Sequence, residues 1–146
     1  MTLVHVEFEY ESVSLPSEVI AFLQGIDHVV ERHRVDAGTN YRGFVPSDYA
    51  TVYQCLKTVH DSQLLRGERF GEWGSGVSVV AALAAMMGYE SFAFEYNSEL
   101  CVVAEEICED FDLPVSVVNG SFIPDGMEEL VDQAFAAQNG EMALHT

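Results

Sequence analysis

Three short stretches of the 146-residue chain carry residue types suited to holding a ligand. Glu72-Trp73-Gly74-Ser75-Gly76 sets an acid beside two glycines. Such glycines let a backbone turn sharply and approach a ligand with no Cβ in the way, and a helix that follows offers free N–H groups. Glu95 stands 21 positions beyond Gly74. A carboxylate at that separation can accept hydrogen bonds from both ribose hydroxyls of an adenosine moiety. Asn119-Gly120-Ser121-Phe122 is placed to border an adenine ring.

The details narrow the choice of ligand. A dinucleotide fingerprint needs a third glycine where Val79 stands, and a phosphate-binding loop needs a lysine that is missing here. An acid two positions before the first glycine fits poorly with pyrophosphate. It suits a ligand that carries an ammonium and a sulfonium.

These stretches need elements to bring them together, and the hydropathy pattern supplies them. Residues 3–10 (LVHVEFEY) alternate as a strand with Val4, Val6, Phe8 and Tyr10 on one face. A helix is expected from Pro16 to about His33, and a second from a Ser47 cap to near Leu65. From Gly67 the pattern becomes strand–helix. Arg69–Trp73 is a strand, Val77 to Met87 an apolar helix stopped by Gly88, and Glu90–Glu95 a second strand. Ser98–Phe111 is a helix, Pro114–Val118 a third strand, and Met127 to Ala137 a last helix. Strands and helices alternating every 20 to 25 residues predict an α/β fold with a parallel sheet. Residues 1–66 then form an N-terminal strand and helices, and residues 67–146 the ligand-binding half, within one compact unit. In such a sheet, ligands sit beyond the carboxyl ends of the strands, where all three stretches fall.

This arrangement resembles the class I S-adenosylmethionine-dependent methyltransferases. Their first motif, acidic-x-Gly-x-Gly-x-Gly, is matched by Glu72 to Ser78, with Ser78 in place of the last glycine. Their ribose-binding acid at the end of the second strand is matched by Glu95. Ser121 beside Phe122 stands where the family commonly has Asp against adenine. The resemblance covers about Leu64 to Asp125. It implies a Rossmann-like, truncated three-layer sandwich with strand order 3-2-1, and S-adenosylmethionine as cofactor. The binding set it implies is Glu72, Trp73, Gly74, Ser75, Gly76, Glu95, Tyr96, Ser121 and Phe122. The lead-in residues 43–49 also look like those of a bacterial group of methyltransferase-like proteins, and would bring Asp36, Asp48 and Tyr49 toward the methionine end. The plainer reading makes Tyr41, Phe44 and Tyr49 plugs between helix and sheet, and Trp73 a packing residue.

The family's sheet continues 3-2-1-4-5-7-6, and its fourth strand carries the motif that handles the methyl acceptor. Nothing here matches that motif, so the chain is expected to hold only the N-terminal half of the domain. No catalytic base is assigned. Strand 1 would then be a bare edge, covered by residues 4–10 or by a second copy in a homodimer. The alternative function is a non-catalytic module for self-association or partner binding, with a vestigial cofactor site.

Composition limits the partners. Six Lys and Arg against 24 Asp and Glu give a formal charge of −18, which argues against nucleic acid and against an anionic membrane surface. Cys101 and Cys108, about 10 Å apart along a helix, cannot be bridged. With Cys55 they read as small apolar core residues in a reducing compartment. The N-terminus has no signal-peptide pattern, and the most apolar run is too short to span a bilayer, so a cytoplasmic location is expected. His28, His33 and His60 are expected on wet helical surfaces. Glu105, Glu106, Glu109, Asp110 and Asp112 make a solvated face without the loop of a calcium site, and no metal is expected.

Overall fold

The computed structural model describes residues 14–37, 46–62 and 67–130. The strand expected at 3–10, Tyr41 and Phe44, and all of the last helix and tail beyond Leu130 lie outside the described residues, as does the side chain of Asp36. In chain order the elements are α1 (Ser17–Ala37), α2 (Tyr49–Asp61), β1 (Arg69–Trp73), α3 (Val79–Met86), β2 (Glu90–Glu95), α4 (Ser98–Asp110) and β3 (Val115–Asn119). The three strands form one parallel sheet in the order β1-β2-β3. Trp73 lies opposite Phe94, and Glu95 opposite Asn119. The three strand ends therefore finish side by side.

Local chemistry moves several boundaries from those expected. With no Gly or Pro between His33 and Gly38, α1 runs past His33 to Ala37. Asp48 caps α2 in place of Ser47, accepting from Thr51 N at 3.3 Å and from its hydroxyl at 2.7 Å. Helix α3 starts two residues late because Gly76 and Ser78 have φ of 56° and 62°, outside helical space. Gly88, at φ 94°, ends its last turn as expected, donating to the Ala85 carbonyl. Strand β3 begins after Pro114, which has no N–H to give a ladder.

Alternation sorts the sheet residues. Phe70, Glu72, Ser91, Ala93, Val115 and Val117 share the face on which α3 and α4 pack. Helices α1 and α2 pack in turn on α4 and α3. This explains why α3 is apolar all round rather than striped: Ala81 to Ala84 are fully buried between sheet and outer helices. One core joins the layers through Phe22, Ile26, Tyr53, Leu83, Val103 and Ile107. Among the described residues helices cover this face only. The opposite face presents Arg69, Gly71, Trp73, Ser116 and Val118 to solvent, with Phe92 and Phe94 half-buried.

The α1–α4 contact revises two surface expectations, those for His33 and Glu106. Glu106 is not simply solvated, since Arg32 and His33 of α1 both reach it, His33 at 2.5 Å. His60 is exposed on α2 as expected, and there bonds the Tyr89 hydroxyl at 2.8 Å. Cys101 and Cys108 are buried, but Cys55 is exposed on α2, a correction to its reading as a core residue. Among the described residues no helix is long and apolar enough to cross a membrane.

Candidate functional site

The glycine loop after β1 is pinned to the end of β2. Gly74 and Ser75 donate to the Phe94 carbonyl at 2.9 and 3.0 Å. Gly74 and Gly76, at φ 66° and 56°, adopt the left-handed conformation that glycine enters without steric cost. Ser78, in the place of the motif's third glycine, takes the same conformation at φ 62°. Its hydroxyl is fully buried and reaches the Ser75 hydroxyl at 3.3 Å.

Glu95 closes the arrangement. One carboxylate oxygen accepts Gly76 N at 2.8 Å and the other accepts Asn97 N at 2.8 Å. An ionised carboxylate has about four lone-pair sites, so acceptor capacity remains on both oxygens. The backbone of the same residue anchors the third strand end. Its carbonyl accepts Gly120 N at 2.9 Å, Asn119 Nδ2 at 3.1 Å and the Cys101 thiol at 3.4 Å.

Glu72 turns the other way, beneath α3. It accepts Ala81 N at 2.8 Å, and the Val80 N–H also bonds it. It thus caps a helix whose own N-cap residue, Ser78, makes no side-chain cap. Burial pushes its carboxyl up to about 7, against the pull of these N–H groups, and the nearby charge of Glu95 adds to the rise. Tyr49 lies in the same field: burial first, then the charge of Glu72, raises its phenol. Beside the loop, a cavity of about 480 Å³ between α1 and the start of α2 is lined by Ile26, Asp27, His28, Tyr49 and Val77.

The rim is aromatic. Trp73 and Phe122 stack with ring centroids 5.7 Å apart and planes 3° from parallel, although they follow strands on opposite edges of the sheet. Trp73 is 71% exposed, so it is not the packing residue expected, while Tyr96 is 82% and Phe122 49% exposed. Ser121 is turned into its own loop, its hydroxyl accepting Ile123 N at 3.0 Å.

The structure therefore gathers Glu72, Trp73, Gly74, Ser75, Gly76, Glu95, Tyr96, Ser121 and Phe122 at one end of the sheet. Asp48 is committed to its helix cap. Two contributors have roles that spacing did not give: Asn119, expected only to border an adenine, and the Cys101 thiol together fasten the β3 end to Glu95. A side chain rich in hydrogen-bonding groups closing a short β-rich run was the available signal for Asn119. For Cys101 there was none.

Electrostatics limits what this site can take. The first-turn N–H groups of α3, where a phosphate would bind, already hold Glu72. The described Arg32, Lys57 and Arg69 are engaged elsewhere, with Glu106, Asp61 and Glu90. Among the described residues no group of three His, Cys, Asp or Glu could hold a metal ion. No model of a known protein family matches the chain, and no curated protein matches it either.

Proposed function

We propose that this chain is a Rossmann-like, methyltransferase-type domain that binds S-adenosylmethionine at the ends of β1, β2 and β3. The observation that carries the reading is the Glu95 carboxylate, aimed at the glycine turn and held by Gly76 N and Asn97 N with acceptor capacity to spare. In this reading the oxygens held by those two N–H bonds take the pair of ribose hydroxyls. The exposed rings of Trp73, Tyr96 and Phe122 offer flat apolar surface for an adenine, with Ser121 at its border. In this reading the methionine moiety lies on the Glu72 side of the loop, where the charge of Glu72 also reaches the Tyr49 phenol. A site whose charged groups are carboxylates favours a cation, and an ammonium or sulfonium meets that condition where a pyrophosphate does not.

The cofactor supplies an activated methyl group. The chain's own contribution is placement: Glu95 orients, the glycine loop admits close approach, and the carboxylates complement positive charge. Its net charge of −18 favours a small-molecule, protein or cationic acceptor over a nucleic acid.

Calorimetric titration with S-adenosylmethionine, S-adenosylhomocysteine and NAD tests the proposal. Binding of the first two and not the third is expected, with the affinity abolished in Glu95→Ala. Absence of binding at millimolar ligand would leave the module reading and remove the cofactor.

A further inference from the structure

The cavity between α1 and the start of α2 has a wall that helical spacing divides in two. Ile26 and Val30 lie one turn apart on α1, as do Asp27 and Glu31, so an apolar stripe and an acidic stripe stand side by side. The inner lining is apolar: Ile26 and Val77 are buried, and the half-buried ring of Tyr49 joins them from α2. Asp27, Glu31 and His28 are exposed at its opening. Carboxylates from two different elements act on this space. Burial is the largest cause of the rise in the Tyr49 phenol, and the charges of Glu72 on β1 and Asp27 on α1 add to it. The phenol stays protonated, and the field around it is negative.

We propose that this cavity binds a small organic cation, a protonated amine carried on an apolar ring, with the ring against Ile26, Val77 and Tyr49 and the ammonium at Asp27. The inference stands on α1, α2 and Val77, and does not rest on the cofactor reading.

Size and charge select that occupant. At about 480 Å³ the space suits a ring-bearing molecule. A bare metal ion is too small for it, and among the described residues no group of three His, Cys, Asp or Glu gathers to hold one. An anion would meet Asp27 and a chain of formal charge −18. An uncharged molecule would cover Asp27 and offer it nothing in exchange for water. An ammonium replaces that water with a charged hydrogen bond, and the face of the Tyr49 ring adds cation–π attraction. His28 is the one basic side chain among the described lining residues, against Asp27 and Glu31 on the same helix.

Titrating the full chain with phenethylamine, phenethyl alcohol and phenylpropionate decides the matter, with amide shifts in nuclear magnetic resonance spectra locating the site. The amine is expected to bind with a Kd of about 1 mM or tighter and to move the amides of Asp27, Tyr49 and Val77. The alcohol should bind at least about tenfold more weakly, and the acid not at all. Asp27→Asn, at an exposed helical position, should weaken the amine about tenfold and leave the alcohol unchanged. Glu68→Gln removes the same charge before β1, at the end of the strand away from the glycine loop, and should change neither. No amine binding up to about 10 mM overturns the proposal. Equal affinity for amine and alcohol does so too, as do shifts confined to other residues. An equal loss in Asp27→Asn and Glu68→Gln reduces the effect to net charge and overturns it as well. If S-adenosylhomocysteine displaces the amine, the cavity is an arm of the cofactor site and the separate site is overturned.

Discussion

The carboxylate of Glu95 accepts the N–H of Gly76 at 2.8 Å, tying the end of β2 to the turn that leaves β1. The bond joins the two residues on which an adenosyl site would depend. It also means that Glu95 has a structural role whether or not a ligand is present.

Replacing Glu95 with Ala strands Gly76 N and Asn97 N at once. The expected cost is about 1–3 kcal/mol of stability, read from urea unfolding, together with loss of detectable S-adenosylhomocysteine binding. Glu95→Gln keeps an acceptor but adds an N–H₂ facing one of those donors. It should cost less stability and still weaken the ligand at least about tenfold.

Glu72 ties stability to pH. Its carboxyl stands at about 7 in the folded chain against 4.5 when free, so the folded state holds the extra proton between those values. Stability therefore falls as pH rises from about 4.5 through about 7 and is level above, the total being about 3 kcal/mol. Glu72→Gln still accepts from Ala81 N and carries no charge. Denaturant melts should show it matching the wild type near pH 4.5 and exceeding it by up to that amount at pH 8. An ammonium seated beside Glu72 would favour the ionised form, so affinity for S-adenosylmethionine should increase over the same interval.

Trp73 is the single tryptophan, and it lies at the proposed site, so its fluorescence reports on that site directly. An adenosyl ligand should change its emission at saturation. Phe122→Ala should alter the unliganded spectrum and weaken binding by about 1–3 kcal/mol, the worth of a stacked base, with no change in melting temperature beyond a degree or two.

Ser78 tests whether the missing third glycine matters. A left-handed non-glycine residue costs about 1–2 kcal/mol. Ser78→Gly recovers part of that and forfeits the buried contact with the Ser75 hydroxyl, giving a net gain of about 0.5–1 kcal/mol by thermal unfolding. Ser78→Val should destabilise by more than about 2 kcal/mol, since a β-branched side chain tolerates neither the backbone nor the space.

At Gly25 in α1 an added Cβ would collide with the ring of Phe111, itself held edge-on by Phe22 at 5.1 Å. Gly25→Ala should therefore destabilise by about 1–3 kcal/mol, although alanine is the better helix former.

Much of this protein was legible from its own letters, because the relevant physics is local. Short β-rich runs between turn residues marked Arg69–Trp73 and Glu90–Glu95 to the residue, and the glycines marked where the backbone must take a positive φ. A strand–helix–strand passage between parallel neighbours then set the three strand ends side by side, so Glu72, Glu95 and Phe122 fell at one end of the sheet. Only the tertiary structure decided what each side chain does there. Glu72 turned to α3 because that helix lacks a cap of its own, and Glu95 turned to the loop. Trp73 crossed the sheet to Phe122, and Glu106 met α1 instead of water. Spacing along a chain specifies where a residue is carried; which donor or ring it then meets depends on elements far away in sequence, whose packing no local pattern records.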